Sequence, residues 1–356
     1  MFFNRHKVLF ITLFIAGFIL ATYLVTNFVI FLYSPASFNK QELIVDVPEG
    51  SNFRTVTKVL FEDGLISDQK KFRVLGRIMR AGSKIKAGEL RFYKDMNPMQ
   101  VLDTLINGKP VTYSFTVPEG FNIYQVADLL VEKKIIKKAK DFLEASSDKV
   151  LLIELGINGK DTEGYLFPDT YTVTKVRDVK NLLRIMNKKF KEIFTSEFDK
   201  RAKEIGFSPR EVIILASIIE KETGAKEERK IVSSVFHNRL KKRMPLQSDP
   251  TTIYGIWDHY RGNLTKEDLL QYTPYNTYKV FGLPAGPICN PGKDSLVAAL
   301  YPDTTPYFYF VSKNDGTHSF SEDYGAHKKA VNKLQKDPSA RAGKSWRDLN
   351  KKGRSN

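Results

Sequence analysis

Hydrophobic and polar positions follow three different rules along this chain. From Val8 to Tyr33 there are 26 residues without a formal charge, with Asn27 the only strongly polar one. A bilayer takes roughly 20 apolar residues as a helix, so the stretch predicts a transmembrane span. It exceeds the roughly 7–15-residue core of a cleaved signal, and no clear A-x-A site follows. From residue 41 to 160 the apolar positions become periodic and the pattern occurs twice. Beyond residue 161, aromatic and polar residues abandon a simple period and gather in loops, with one near-continuous apolar run, Val212–Ile219, among them.

The repeat is set by a turn. Val47-Pro48-Glu49-Gly50-Ser51-Asn52 returns 70 residues later as Val117-Pro118-Glu119-Gly120-Phe121-Asn122. Helical spacing follows in each copy, Val56, Val59 and Leu60 against Val126, Leu129 and Leu130, and each reaches a phenylalanine at the same offset, Phe72 and Phe142. The unit predicts strand, turn, helix, helix. The first copy adds a strand at Gly88–Tyr93 and a helix over Met99–Ile106. This resembles a LysM-like βααβ module, whose relatives bind the N-acetylglucosamine-containing backbone of cell-wall glycan. A structural spacer without glycan contact is the other reading.

Ser208 to Gly224 reads as a helix with both ends marked. Ser208 and Glu211 form an S-x-x-E capping box and Pro209 suits the first helical position. Gly224 is placed to take the left-handed conformation past the last turn. The apolar run between them predicts burial on most of the circumference. At its end stand Glu220 and Glu222, about 200° apart around the axis, so one cleft receives only one of them. Glu222 has Lys226 four residues on, the spacing of a solvated ion pair. Glu220 has Gly224 there and no cation in view, and a carboxylate in an apolar sleeve has its charged form penalised. Two surface charges at a fraying helix end is the plainer reading, and helical geometry leaves the choice open.

Charge and composition narrow the setting. Arg5 and Lys7 precede the apolar span and the next cation is Lys40, so positive-inside bias puts the N-terminus in the cytoplasm and the rest outside. Hydrophobic residues make up 42%, with 25 Phe and 16 Tyr, which is globular composition. The lone Cys289 leaves no internal disulfide, so the chain relies on its core. Net charge is +16; residues 326–356 hold ten Lys/Arg and two Asp, or +8 of it. That basic tail suits anionic lipid or a cell-surface polymer, and the extracytoplasmic location argues against nucleic acid. The five histidines form no H-x-x-x-H pair and no phosphate-loop or dinucleotide motif occurs, so neither metal nor cofactor is expected. Ser217 lies one turn before Glu220 with no histidine flanking it to make it a nucleophile.

The loop clusters come in one order: Glu163-Gly-Tyr165-Leu-Phe167-Pro-Asp169-Thr-Tyr171, then Ala216-Ser217-Ile-Ile-Glu220-Lys-Glu222-Thr, then Val235-Phe-His-Asn238-Arg-Leu240. Leu246-Gln247-Ser-Asp249-Pro-Thr251, Tyr275-Asn276-Thr277-Tyr278 and Gly282-Leu-Pro-Ala-Gly-Pro-Ile-Cys-Asn-Pro-Gly292 follow. Tyr, Asn, Gln and Thr in loops stack on sugar faces and bond hydroxyls. Together these motifs resemble the YceG-like, or MltG, family of endolytic murein transglycosylases, over nearly the whole chain.

The resemblance implies cleavage of the β-1,4 bond between N-acetylmuramic acid and N-acetylglucosamine in nascent peptidoglycan, leaving 1,6-anhydro ends. It assigns the catalytic glutamate to Glu220. Glu163 and Asp249 are the candidates for a second carboxylate. With Gln247, Tyr254, Tyr275, Asn276, Thr277 and Tyr278 they are expected to bind substrate or hold the catalytic helix, and Ser217 and Asn238 to support it from behind.

The expected fold is α+β: an N-terminus and anchor over 1–35, a LysM-like module over 41–110, and a second repeat-like segment over 111–160. A mixed α/β catalytic domain with a buried catalytic helix is expected over 161–335, and a basic tail over 336–356. Expected partners are peptidoglycan strands, membrane lipid and, from the resemblance, penicillin-binding synthases and other wall-elongation proteins. The expected location is the bacterial plasma membrane, single-pass, with the catalytic domain outside. The competing reading is a non-catalytic, membrane-tethered peptidoglycan-binding scaffold.

Overall fold

The repeat seen in the sequence is built by the same two residues in each copy. Gly50 and Gly120 take φ of +75° and +77°, a region that costs a residue with a Cβ but not glycine. The turn they make delivers an asparagine to a helix start. Asn52 accepts the Thr55 N–H at 2.9 Å. Asn122 accepts that of Gln125 at 2.9 Å, and the Gln125 side chain returns the bond to the Asn122 N–H at 3.1 Å. Each cap satisfies helix donors that lack an intrahelical partner.

The structure, a computed structural model, describes residues 2–336; the basic C-terminal tail from 337 onward lies outside the described residues. In chain order, α1 (Phe2–Tyr33), β1 (Glu42–Val47), α2 (Phe53–Glu62), α3 (Gln69–Ile78), β2 (Gly88–Tyr93) and α4 (Pro98–Asn107) come first. Then follow β3 (Tyr113–Thr116), α5 (Ile123–Glu132), α6 (Ala139–Ser146), α7 (Lys149–Leu155), β4 (Thr170–Val173), α8 (Val179–Ile193) and α9 (Ser196–Glu204). The last third holds α10 (Pro209–Glu222), α11 (Arg229–Lys241), α12 (Asp249–Gly255), α13 (Lys266–Leu270), α14 (Lys293–Leu300), β5 (Tyr309–Ser312), β6 (His318–Ser321) and α15 (Tyr324–Val331). The architecture is mixed α/β.

Two compact units divide the chain: one runs to Ser114 and includes Thr172–Lys175, the other comprises Phe115–Tyr171 and the described chain from Val176. In the first, β1 and β2 pair antiparallel with Val45 opposite Leu90. Helices α2 and α3 bury Leu60 and Phe72 beneath them. Lys7–Tyr33 of α1 is long and apolar enough to cross a membrane, a property of anchors and signal sequences alike. Its side chains from Val8 to Val25 are exposed, whereas Phe31 near its end joins this unit's core.

The second unit starts with the second repeat. Phe115 stacks on Tyr171 with centroids 5.5 Å apart, and Phe142 is fully buried. The copy reaches its closing strand, β4, which pairs with β3, through α7 and the buried segment 161–168. Gly164 sits there with φ +84°, where an added Cβ would lie 2.6 Å from Pro287 and 2.9 Å from Ile213 on α10. Close approach of this block to the central helix therefore requires glycine.

That central helix is α10. Its capping box forms as the sequence predicts: the Ser208 N–H donates to Glu211 at 2.7 Å and the Glu211 N–H to the Ser208 hydroxyl at 3.3 Å. Every residue from Val212 to Ile219 is buried. The C-terminus differs from expectation. Thr223, not Gly224, ends the helix, extended at φ −139°, and Gly224 is not among the left-handed glycines. Thr223 Oγ1 accepts the Ala225 N–H at 3.1 Å, so a side-chain turn replaces the glycine cap.

Loss of the Phe142 ring, buried beneath α5 and α6, should cost about 3–5 kcal/mol as Phe142→Ala, and loss of the exposed cap as Asn52→Ala about 1 kcal/mol. Urea unfolding of the detergent-solubilised chain measures both; a Phe142→Ala loss no larger than that of the cap would show that the core at this point collapses around the cavity.

Candidate active site

The two glutamates at the end of α10 face opposite ways, and each meets a different environment. Glu220 is clamped. Its Oε1 accepts from Arg229 Nη2 at 3.2 Å and its Oε2 from the Gly292 N–H at 2.9 Å. The side chains of both Glu220 and Arg229 are only 6% exposed. The sequence offered Glu220 no cation because it was sought one turn away; the cation comes from the start of the next helix, nine residues on. Arg229 also approaches Asp294 at 3.3 Å and Glu119 at 3.7 Å. A carboxylate that accepts from a guanidinium and a backbone N–H at once is fixed in one orientation.

Glu222 does not form the expected solvated pair with Lys226, which approaches Asp294 at 3.7 Å. It faces a pocket of about 280 Å³, shared with Arg239, Gln247, Asp249, Tyr278 and Tyr309. Its Oε1 accepts from the Ser248 hydroxyl. Burial pushes its carboxyl up to about 7, with the Asp249 charge adding to the effect and the Ser248 bond and Arg239 opposing it. Arg239 opposes weakly because its guanidinium is used elsewhere: it donates to the carbonyls of Phe308 at 2.7 Å and Leu246 at 2.8 Å. Glu222 thus shares its proton near neutrality with no cation clamped to it, the state an acid–base residue needs.

The pocket wall is a strained loop locked by a second loop. Gln247 has φ +51°, a conformation that costs a non-glycine residue about 1–3 kcal/mol and persists only where neighbours enforce it. They do so here. The Gln247 N–H donates to the Thr277 carbonyl at 3.2 Å and the Ser248 N–H to the Thr277 hydroxyl at 2.9 Å. Asn276, fully buried, donates to the Gln271 carbonyl at 2.7 Å and accepts from the Thr252 hydroxyl at 3.1 Å. Tyr278 then reaches Asp249 Oδ1 at 2.7 Å. Of the expected binding residues, Gln247, Asp249 and Tyr278 line the Glu222 pocket, whereas Asn276 and Thr277 are wholly enclosed and act by fixing the loops.

Glu163 is placed elsewhere. Only 1% exposed, it accepts from the Ile123 N–H at 3.0 Å, the Tyr254 hydroxyl at 2.9 Å and Asn290 Nδ2 at 3.3 Å. Burial pushes its carboxyl up to about 8 despite the Ile123 and Tyr254 bonds, which oppose the shift. Asn290 completes the joint by accepting the N–H groups of Gly164 and Leu166, each at 3.0 Å. Ser217 ties α10 to the same segment, taking the Ile288 N–H at 3.0 Å. Asn238 donates to the Thr305 and Tyr307 carbonyls at 2.8 and 2.9 Å, holding the approach to β5. Tyr254 and Tyr275, in ring contact 4.8 Å apart, border a second hollow.

Sequence reading missed Ser248, Arg239, Tyr309 and His327 as neighbours of the pocket. The motifs L-Q-S-D-P-T and V-F-x-N-R-L contain the first two. Tyr309 and His327, stacked at 5.1 Å, come from the C-terminal hairpin and α15, where no pattern marked them.

Glu163 carries a pH signature. A carboxyl raised on folding stabilises fully below its unfolded value near 4.5, and that stability is lost as pH rises through about 8. Melting temperatures of wild type and Glu163→Gln should therefore shift in the variant's favour between pH 5 and pH 9. A difference that stays constant over that range contradicts the burial account.

The model of the YceG-like family matches residues 45–333. The chain is 31% identical over 314 residues to an endolytic murein transglycosylase of Bacillus subtilis strain 168, covering 83% of this chain and 85% of that one. It is 27% identical over 307 residues to an endolytic murein transglycosylase of Streptococcus pneumoniae serotype 2, covering 77% of this chain but 55% of the relative; the chain thus spans about half of that protein. A crystal structure of a yceG-like protein from Listeria monocytogenes matches with a TM-score of 0.57 at 31% identity, over 82% of this chain and 100% of that one. Motifs, fold and a match that runs from the first strand to the last helix agree: the chain belongs to the YceG-like family.

Proposed function

We propose that this protein is a membrane-anchored lytic transglycosylase that cuts inside peptidoglycan strands, at the β-1,4 bond from N-acetylmuramic acid to N-acetylglucosamine. The two relatives named as endolytic murein transglycosylases support the reaction class. The observation that carries the residue assignment is the Glu222 carboxyl, raised to about 7 in an open pocket. The sequence resemblance favoured Glu220. Its clamp by Arg229 and Gly292 supports a structural role instead, and we assign the acid–base role to Glu222.

One carboxyl group then performs both proton transfers. Protonated Glu222 gives its proton to the glycosidic oxygen as the bond from the muramoyl anomeric carbon breaks. The C6 hydroxyl of the same muramoyl unit attacks that carbon and returns its proton to the Glu222 carboxylate. A 1,6-anhydro ring closes, the N-acetylglucosamine end leaves as an alcohol, and no water is consumed. Burial does most to raise Glu222, and Asp249, with Tyr278 bonded to it, adds to that electrostatically, so a large share of the acid is protonated near neutral pH. A water-using glycosidase needs a second carboxylate as nucleophile or base; here the substrate's own alcohol fills that place. The strands are the proposed substrate, α1 the proposed anchor in bilayer lipid with the second unit outside the cytoplasm, and the penicillin-binding synthases of wall elongation the proposed partners.

Digestion of purified peptidoglycan by the full-length chain in detergent, read by mass spectrometry of the ends, tests this. Wild type should yield anhydromuramoyl ends, and Glu222→Gln should reduce them at least about a hundredfold, while Glu220→Gln keeps measurable turnover. Loss in a folded Glu220→Gln with Glu222→Gln active returns the role to Glu220. Reducing ends indicate a hydrolase with Asp249 as the second carboxylate, and intact glycan with retained binding indicates the scaffold. Since the acid form is the reactive one, the wild-type rate should fall about tenfold per pH unit above about 7; a rate flat to pH 9 contradicts it.

A further inference from the structure

A second hollow, of about 230 Å³, lies at the other end of α12 from Asp249. Its wall is aromatic: Tyr124 stacks on Trp257 with centroids 5.8 Å apart and planes 15° from parallel. Tyr275 also lines it, with the Lys160 ammonium 4.9 Å from its ring centre. Gln271, Asp258 and His259 complete the lining. None of Tyr124, Trp257 or Lys160 belongs to a motif that identified the family, and none has a part in the chemistry above.

Two separate elements join this hollow to the Glu222 pocket. Helix α12 carries Asp249 at one end and Tyr254 and Gly255 at the other; its seven residues span about 10 Å at 1.5 Å per residue. The following loop places Tyr275 in the hollow and Tyr278 in the pocket. Parallel aromatic faces with polar groups around them suit a ring that is apolar on its faces and polar at its edge. One lysine and one aspartate give no strong field, so a phosphorylated ligand is not favoured. A sugar fits both requirements.

We propose that this hollow is a second glycan subsite, holding a sugar of the same strand away from the bond being cut, its face on the Tyr124–Trp257 pair and an oxygen against Lys160. The proposal rests on the glycan reading of function. It explains the endolytic mode: a strand held at both ends of α12 is engaged in its interior.

Trp257 is one of only two tryptophans, so Trp346→Phe leaves it as the sole reporter. The full chain in detergent, with that change and Glu222→Gln, is titrated with peptide-free, uncross-linked glycan strands while tryptophan emission is followed. A saturable change is expected. Both Lys160→Glu and Tyr124→Ala should weaken binding about tenfold. Lys160 is 58% exposed at its side chain, and Lys160→Gln, which removes the ammonium without setting a second carboxylate beside the buried Asp161, repeats the test with the fold kept. Affinity unchanged within about twofold in Lys160→Glu, or strands that bind without altering Trp257 emission, or no binding, overturns the subsite. Binding through Trp257 with no anhydro ends from the wild type leaves the subsite standing and removes the transglycosylase reading.

Discussion

The contact between Glu220 and Arg229 is the one the site depends on. A helix rotates 100° per residue, so whatever fixes one side of its last turn fixes what the other side presents. Glu220 is held by a buried guanidinium from α11 and by the N–H of Gly292. With eight consecutive buried residues behind it, α10 has little freedom to roll or fray. Glu222, two residues on, is thereby directed at the Ser248 hydroxyl. A buried pair of this kind adds little net stability, but removing one partner leaves an uncompensated charge. Its value here is orientation.

The second repeat turns out to be part of this frame. Its Pro-Glu-Gly turn places the Gly120 carbonyl 3.3 Å from Lys221 Nζ and its N–H 3.0 Å from the Asn290 carbonyl. Glu119 approaches Arg229, and the N-terminal amide of α5 is taken by Glu163. The same motif therefore serves two purposes. In the first unit it closes with β2 over a small core, and in the second it braces the helix that carries Glu222. Among the carboxyls that burial raises in that frame, Glu119, Glu163 and Glu222, the last two differ in access. Glu163 is sealed among three donors, whereas Glu222 opens to a pocket, and only an accessible proton can be exchanged with a substrate.

Much of this was legible from residues alone. The turn repeat, the capping box of α10, the buried run Val212–Ile219 and the strand Gly88–Tyr93 all follow from local rules, in which a residue's neighbours in sequence are also its neighbours in space. The sites that escaped prediction are those made by long-range contact. Arg229 reaches Glu220 from another helix, so spacing on α10 pointed to the wrong glutamate as the unpaired one. Thr223 displaced Gly224 as the helix end because its hydroxyl captures the Ala225 amide. Asn276 and Thr277 carry the chemistry of sugar ligands, yet their hydrogen bonds are used to hold the Gln247 loop in its strained conformation. Tyr309 and His327 arrive from the C-terminal hairpin and from α15, over 50 residues downstream of the Gln247 loop.

The proton on Glu222 is measured, without reference to any substrate, by carbon-13 NMR of glutamate-labelled protein. The Glu222 carboxyl resonance, assigned by its disappearance in Glu222→Gln, should titrate with a midpoint near 7. A midpoint near 4.5, the ordinary value for a solvated glutamate, would mean that the pocket does not hold the acid in its reactive form, and the mechanism built on it would fail.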